Sequence, residues 1–395
     1  MQCILAVNGG SSSLKCGLYE PATDAAHLRY RFQLGNALGT PSLEITDGQG
    51  QELAQLQPDF SQIATSQRHL SALALVLDWI DAELPDVEIL AVGHRVVHGG
   101  EQFSTPRRVD DALIDSLHQL SPLAPLHQPY NIELIQACRA RLPGTAQLAC
   151  FDTMFHVGQS ALERRYAIPA RFTADGIQRY GFHGLSYQYI QRQLARQGRG
   201  MGHSLICHFG SGASICAVRD GRSVASSMGF TALDGLPMGS RCGSIDPSVL
   251  LYLMRHYAMD IDMLEQMLNK QSGWLGVSGV SSDMLELHAS DKPEAQEAIE
   301  MFCYRAALEI GRLSAAMQGL DRIVFTGGVG ENDADIRARI LQRLAWLGVA
   351  LDPRANESGA MLISTPDSSI EVLVIPTHEG AMIAQHCHEM LGQPA

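Results

Sequence analysis

The same short arrangement, a strand, a Gly/Ser turn and a second strand, occurs near the start of the chain and again in its second half. The first copy runs from residues 4–7 through NGGSSSLK into residues 16–19. The second copy runs from residues 205–209 through GSGAS into residues 215–218. Each pattern predicts a β-hairpin whose turn places backbone N–H groups around a phosphate. Two such hairpins, one in each half, indicate an internal duplication.

Apolar segments of two kinds alternate along the 395 residues, and a chain of that length favours two domains over one core. Short runs rich in Val, Ile and Leu predict strands at 4–7, 89–92, 147–151, 204–209, 213–218, 322–326 and 371–375. Helical apolar spacing predicts helices at 71–82, 111–120, 131–141, 247–257, 294–317, 333–347 and 379–391. Strands alternating with helices predict an α/β protein with substantial parallel sheet.

The charge balance excludes some partners. With 29 basic against 42 acidic residues, the formal charge is −13, which argues against nucleic acid and anionic membranes. An anionic ligand must then be held by a few placed cations, backbone N–H groups and a metal ion. Nine cysteines without CxxC spacing indicate reduced thiols. Without a basic leader or an apolar run of about 18 residues, the expected location is the cytoplasm.

Two arginines lie in separate glycine-rich loops. Arg95, in GHRVVHGG, ends an apolar strand, and Arg241 lies in GLPMGSRCG before a predicted helix start. A forked guanidinium suits carboxylate or phosphate, and open α/β sheets carry ligands at strand ends. The alternative for either is a surface arginine beside a flexible loop.

Two carboxylates follow predicted strands, and two histidines lie between apolar, proline or glycine neighbours. Asp152 follows the strand 147–151, and Glu379 follows the last strand in PTHE. Either carboxylate could help to place a metal ion. The structural alternatives are that Asp152 caps the next segment and that Glu379 is a first-turn glutamate stabilised by the helix dipole. His127 in PLHQP and His183 in RYGFHG could line a site or be partly buried histidines.

The segment FTGGVGEN at 325–332 joins a strand to a helix, a good shape for a nucleotide. No loop fits GxxxxGK[ST], and no GxGxxG opens a helix after the first strand. Phosphate chemistry here therefore requires a scaffold other than the P-loop or the dinucleotide-binding fold.

From Asn8 to Glu379, eight ordered segments together resemble the acetate kinase family: NGGSSSLK, GHRVVHGG, PLHQP, FDTMFH, RYGFHG, SMGFT, GGVGEN and PTHE. The resemblance implies an α/β fold of two duplicated actin-like, sugar-kinase-like (ribonuclease H-like) domains with an active-site cleft between them. The N-terminal domain would comprise residues 1–150 with a C-terminal helix at about 383–395. The nucleotide-binding C-terminal domain would comprise residues 151–382.

The resemblance also implies roles for individual residues. The catalytic group would be Arg95, Asp152, His183 and Arg241. The acyl substrate would contact Arg95, Val97, Leu126, Phe182 and Ala232, with His127 lining the same region. The nucleotide would contact Lys15, His208, Gly210, Ser211, Gly212, Asp283, Gly328, Gly330 and Asn332. The metal ligands would be Asn8 and Glu379, with Ser11 and Ser13 in the same phosphate and metal region.

The implied reaction is reversible, Mg²⁺-dependent transfer of the ATP γ-phosphoryl group to acetate, giving acetyl phosphate and ADP by direct in-line transfer. Mn²⁺ would substitute for Mg²⁺. Family membership further implies a cytoplasmic homodimer that contributes to acetyl-CoA biosynthesis and binds neither nucleic acid nor membrane. The alternatives are a propionate or other short-chain acyl kinase, and a non-catalytic ATP-binding relative.

Six positions depart from the family pattern. Ala232 replaces a usual proline of the acyl pocket, and loss of the ring predicts appreciable use of propionate. DML at 283–285 replaces Asp-Phe-Arg, so Leu285 stands where an arginine is expected near adenosine and the nucleotide preference stays open. Ser211 replaces Asn, Ala225 replaces Asp and Tyr187 replaces His, with effects that the sequence leaves open.

Overall fold

The computed structural model describes residues 1–10, 13–22, 26–35, 41–64 and 67–392. The chain divides into two compact units. The first unit comprises Met1–Val157 together with His378–Ala395, and the second comprises Gly158–Thr377. The first unit is therefore assembled from both ends of the sequence, whereas the second is continuous.

In the part of the chain that the structure describes, the first unit contains one sheet of eight strands and the helices that connect them. Its elements up to residue 157 are β1 (Gln2–Gly9), β2 (Leu14–Glu20), β3 (His27–Gly35), β4 (Ser42–Asp47), β5 (Glu52–Leu56), α1 (Arg68–Glu83), β6 (Glu88–Val96), β7 (Arg107–Arg108), α2 (Asp111–Gln119), α3 (Gln128–Arg141) and β8 (Ala146–Phe151), with 3-10 turns at Ser121–Leu123 and Met154–His156. In the described residues the strand order is β5-β4-β3-β2-β1-β6-β8-β7. β6 pairs in parallel with both β1 and β8, and the other pairings of this sheet are antiparallel.

The second unit repeats the central part of this arrangement. Its elements are α4 (Ala161–Arg164), α5 (Ala170–Ala174), α6 (Gly184–Arg196), β9 (His203–Phe209), β10 (Ala213–Arg219), β11 (Arg222–Ser226), α7 (Pro247–His256), α8 (Ile261–Lys270), α9 (Gly273–Ser278), α10 (Met284–His288), α11 (Pro293–Met317), β12 (Arg322–Thr326), α12 (Gly327–Asn332), α13 (Ala334–Gln342), α14 (Pro353–Glu357) and β13 (Glu371–Val374), with a 3-10 turn at Ala345–Leu347. The strand order is β11-β10-β9-β12-β13.

The two sheets share one topology. In the first, β3-β2-β1 are antiparallel neighbours and β6 and β8 continue in parallel beside β1. In the second, β11-β10-β9 are antiparallel and β12 and β13 continue in parallel. Both predicted hairpins are present as β1–β2 and β9–β10. The predicted α/β fold with an internal duplication is confirmed.

The final helix, α15 (Glu379–Leu391), packs on the sheet of the first unit against β1 and β6. The contact is close, because a Cβ added to Gly93 of β6 would lie 2.4 Å from Cγ2 of Ile383 and 2.6 Å from Sγ of Cys387. On the same sheet, Leu5 and Val7 of β1 join a buried cluster with α1. Helices thus cover both faces of β1, which explains its unbroken apolar run.

One predicted helix was too long, and three strands were not predicted. The helix predicted at 333–347 ends at Gln342, and a separate 3-10 turn follows. The strands β3 to β5 were not predicted because their sequences contain no apolar run, and β5 has no buried residue. Within the described residues, no helix is long and apolar enough to cross a membrane.

Candidate active site

Four polar side chains meet at one edge of the first sheet. Asn8 lies at the end of β1, Arg95 near the end of β6 and Asp152 directly after β8. These three strands are parallel neighbours, so their carboxyl ends share one edge of the sheet. Glu379 begins α15 and completes the group.

Hydrogen bonds connect these four side chains into one cluster. Arg95 donates from Nη2 to Oδ2 of Asp152 at 2.6 Å and from Nε to both carboxylate oxygens at 3.0 and 3.1 Å. Its Nη1 donates to Oδ1 of Asn8 at 3.1 Å, and Nδ2 of Asn8 donates to Oε2 of Glu379 at 3.0 Å. We call Asn8, Arg95, Asp152 and Glu379 the ionic cluster.

Burial and charge act in opposite directions on the ionic cluster. Burial raises the pKa of Asp152, the Arg95 guanidinium opposes that rise, and Glu379 adds to it. Burial alone would lower the pKa of Arg95, but Asp152 and then Glu379 raise it above its usual value. The guanidinium therefore stays charged and holds its orientation through a bidentate pair.

The ionic cluster fits the ligand preferences of Mg²⁺. This ion keeps several waters and takes one or two carboxylates from the protein, with the remainder from substrate phosphate. Asp152 and Glu379 provide two carboxylates beside the amide of Asn8. Among the described residues there is no group of three or more His, Cys, Asp or Glu that could hold a metal. Two carboxylates beside an amide form a donor set that suits a hydrated Mg²⁺.

Other residues predicted for the site also belong to the first unit. Lys15 on β2 is exposed and pairs with Asn8 in the β1–β2 register. Val97 follows β6, and its N–H donates to Oδ1 of Asn131 at 3.0 Å. Leu126 is 38% exposed just before α3, whose N-cap is His127. Ser13 is half-buried before β2, whereas Ser11 lies outside the described residues.

His183 is the N-cap of α6 and adopts a left-handed backbone with φ of 58°. Non-glycine residues rarely adopt this conformation, and it is concentrated at functional sites. Its Nδ1 lies 2.8 Å from Oγ of Ser214, and its ring stacks on that of His208 with centroids 4.3 Å apart. The histidine is thus held by its backbone, by a hydroxyl group and by a second ring. Phe182, the preceding residue, is buried.

The turn between β9 and β10 brings His183 and Arg241 together. A Cβ added to Gly212 would lie 3.3 Å from Nε2 of His183 and 3.8 Å from Nη1 of Arg241. Nη1 of Arg241 also donates to the backbone carbonyl of Ala232 at 3.0 Å and contacts Sδ of Met238 at 3.6 Å. The structure therefore joins the second predicted arginine to the predicted acyl-pocket loop and to the glycine turn.

The glycine turns predicted to bind nucleotide are neighbours. Gly210 donates from its N–H to the carbonyl of Gly212 at 3.0 Å, and a Cβ added to Gly210 would lie 3.8 Å from N of Gly328. The carbonyl of Ser211 accepts from N of Gly239 at 3.4 Å, which ties this turn to the Arg241 loop. Gly327 has a positive φ of 78°. It also lies against the backbone of β9, because an added Cβ would be 2.6 Å from the carbonyl oxygen of Phe209.

The remaining nucleotide candidates have local roles. Asn332 donates to the carbonyl of Gly328 at 2.9 Å within α12, and Gly330 is buried in that helix. Asp283 caps α10 by accepting from N of Leu285 at 2.8 Å. Leu285 itself is 75% exposed. The hydrogen bond of Asp283 is therefore a local helix cap, made within α10.

Several supporting residues were missed by sequence reasoning. His208 Nδ1 lies 2.8 Å from Oγ of Ser186, which donates to Oγ1 of Thr377 at 2.9 Å. Ser214 contacts both His183 and the hydroxyl of Tyr187. Serine and threonine are common in the sequence, and only the tertiary structure shows that Ser186, Ser214 and Thr377 contact the histidines or one another. We call His183, Tyr187, Ser186, His208, Ser214 and Thr377 the hydroxyl network.

Two further missed residues fix the loop around α12. Glu331 accepts at Oε1 from N of Gly327 at 2.7 Å and from N of Thr377 at 3.0 Å. Arg337 is almost fully buried and donates to the carbonyls of Gly330 and Glu331, both at 2.9 Å. The signal for Glu331 was its place inside GGVGEN, whereas nothing in the sequence marked Arg337.

Known proteins resemble this chain along its whole length. The sequence model of the Acetokinase family matches residues 3–385. An acetate kinase of Rhodopseudomonas palustris (strain TIE-1) is 46% identical, with 97% of each chain covered. The crystal structure of Porphyromonas gingivalis acetate kinase is 34% identical, with a TM-score of 0.87, 99% of this chain and 100% of that chain covered.

A second solved structure is also similar. A propionate kinase from Francisella tularensis subsp. tularensis SCHU S4 is 35% identical, with a TM-score of 0.89 and 98% of this chain and 99% of that chain covered. These similarities cover both units and every segment that carries the candidate residues. This chain belongs to the acetokinase family.

Proposed function

We propose that this protein is an acetate kinase, which reversibly transfers the γ-phosphoryl group of ATP to acetate. The observation that carries the proposal is the grouping of His183 Nε2 and Arg241 Nη1 around Gly212. A guanidinium, an imidazole and a backbone turn provide the donors that a transferring phosphoryl group requires.

The chemistry needs charge and alignment more than proton transfer. A carboxylate is already ionised at pH 7, so the nucleophile requires no general base. In phosphoryl transfer, catalysis comes mainly from positioning and from charge around a loose transition state. Arg95 and Arg241 would bind the acyl carboxylate and the moving phosphoryl group, and His183 would donate to its equatorial oxygens.

The remaining parts of the proposal concern the metal ion and the setting. Asn8, Glu379 and Asp152 would hold Mg²⁺, with Mn²⁺ as a substitute. When bound, the ion supplies positive charge to the phosphate oxygens of the nucleotide. Lys15 and the turns at Gly210–Gly212 and Gly327–Asn332 would bind ATP. The protein would act as a cytoplasmic homodimer.

Propionate is a second candidate substrate. Ala232, whose carbonyl accepts from Arg241, has a smaller and less rigid side chain than the usual proline. One methylene group changes transition-state binding by only about 1–3 kcal/mol, so discrimination between the two acids is expected to be modest. Comparison of kcat/KM for acetate, propionate and butyrate tests this, and Ala232→Pro is expected to shift the preference toward acetate.

The test of the activity is formation of acyl hydroxamate from ATP, Mg²⁺ and each acid. Wild-type protein is expected to give product with acetate, and a protein that gives none with any short acid would be a non-catalytic relative. Arg241→Ala is expected to lower kcat on the order of 10²–10³-fold with the fold intact, because its charge stabilises the transition state. Arg219→Ala, at the exposed end of β10, is the matched control.

A further inference from the structure

Ser214 lies between two other polar side chains of the hydroxyl network. Its Oγ is 2.8 Å from Nδ1 of His183 and also forms a hydrogen bond with the hydroxyl of Tyr187. Ser214 and Tyr187 are both fully buried. A serine hydroxyl has one proton to donate and two lone pairs to accept with, so the direction of one bond constrains the other.

The direction of the Tyr187 bond follows from the chemistry of the two hydroxyl groups. A phenol is a stronger donor and a weaker acceptor than an alkyl alcohol, because its oxygen lone pair is delocalised into the ring. Burial raises the pKa of Tyr187 well above its usual value, so its hydroxyl keeps its proton. Tyr187 therefore donates to Ser214, whose own proton is directed to Nδ1 of His183.

This arrangement determines where the histidine ring carries its proton. When Nδ1 accepts, a neutral imidazole has its proton on Nε2. Nε2 is the atom that approaches Gly212, where Nη1 of Arg241 also lies. A second positive charge beside a guanidinium is unfavourable, which favours the neutral ring. The result is an N–H donor aimed at the turn.

We propose that Tyr187 and Ser214 are positioning residues that hold His183 in its neutral, Nε2-protonated form, ready to donate to the transferring phosphoryl group. The inference rests on the proposed function. Both residues are buried and act on the reaction through the histidine.

The first test replaces each hydroxyl. Tyr187→Phe keeps the ring but removes the donor, and it is expected to lower kcat about tenfold while the KM values for acetate and ATP change less than twofold. Tyr189→Phe, two residues along the same helix, is the matched control and is expected to retain wild-type kcat. An unchanged kcat in folded Tyr187→Phe overturns the proposal.

A second pair of variants covers the case in which Tyr187→Phe does not fold. Ser214→Ala is expected to lower kcat by a similar factor, and Ser214→Thr, which restores a hydroxyl, is expected to recover most of it. A role in stability alone would lower the melting temperature and leave kcat unchanged. Equal activity in Ser214→Ala and Ser214→Thr contradicts the proposal.

The tautomer can also be read directly. In protein with ¹⁵N-labelled histidine, two-bond ¹⁵N–¹H correlations distinguish Nδ1 from Nε2 protonation, and His183→Asn assigns the signal. Wild-type protein is expected to show the Nε2–H form, and Tyr187→Phe a mixture. An Nδ1–H form in wild type overturns this inference even if the enzyme is active, whereas wild type without kinase activity overturns the proposed function.

Discussion

The two units hold their candidate catalytic residues in different ways. In the first unit, Arg95 is held by a buried carboxylate, so the ionic cluster depends on full charges. In the second unit, His183 and His208 are held by hydroxyl groups of serine, and the contacts of the hydroxyl network join hydroxyl groups and imidazole rings. Charges fix geometry strongly but are costly to leave unpaired, whereas hydroxyl groups fix geometry at a smaller energetic risk.

The largest expected effect is in the ionic cluster. Asp152→Ala leaves the Arg95 guanidinium without its bidentate partner, and loss of one side of a buried pair costs about 3–5 kcal/mol. Urea unfolding measures the loss. Asp111→Ala removes an exposed pair with Arg139 and is expected to cost less than about 1 kcal/mol. Similar losses in both variants would refute the contrast between buried and exposed charges.

A second prediction concerns how stability depends on pH through His94, the neighbour of Arg95 on β6. Burial lowers the pKa of His94 to about 4, against an ordinary value of 6.5. Between these values the unfolded chain binds more protons, so stability falls as pH drops from 6.5 to 4, by up to about 3 kcal/mol. His94→Gln is expected to flatten this dependence in unfolding experiments across that range.

The control for the pH experiment is His118→Gln, an exposed position on α2, which is expected to preserve the wild-type slope. If His94→Gln and His118→Gln keep the same slope, His94 is not the group whose neutrality the fold maintains. Replacements in the hydroxyl network of the second unit are expected to leave this slope unchanged.

The smallest expected effect is in the hydroxyl network. Ser186→Ala removes the bond to His208 and the bond to Thr377, and neutral hydrogen bonds contribute about 1 kcal/mol each. We expect a loss of about 1–2 kcal/mol in the free energy of unfolding. Ser358→Ala, an exposed serine of the same unit, serves as the matched control. A loss as large as that of Asp152→Ala would remove the distinction between the two units.

This contrast also explains what the sequence could predict. The apolar runs and the charged residues at strand ends were sufficient to predict both hairpins and most elements, and the structure brings Asn8, Arg95, Asp152 and Glu379 together. Their assigned roles in the reaction stay predictions. Charged residues stand out there because they lie at the ends of apolar strands.

The hydroxyl network could not be predicted in the same way. Ser186 and Thr377 are far apart in the chain, and their contact depends on how α6 meets the segment that follows β13. Ser214 faces the histidines because of the β9–β10 register, in which it pairs with His208. Strands β3 to β5 escaped notice for a related reason, since partial exposure leaves no apolar run to detect. Contacts of this kind are defined only once the strands and helices have packed together.

The close packing of α15 on Gly93 has a consequence for the order of events during synthesis. Domains commonly fold from the N-terminus as the chain leaves the ribosome. Here the second unit is continuous and complete once residue 377 has emerged, while the first unit still lacks its last helix. Glu379, at the start of that helix, reaches Asn8 only afterwards. The first unit is therefore completed only after the second unit has emerged, and a nascent chain gains its full ionic cluster only once α15 has emerged.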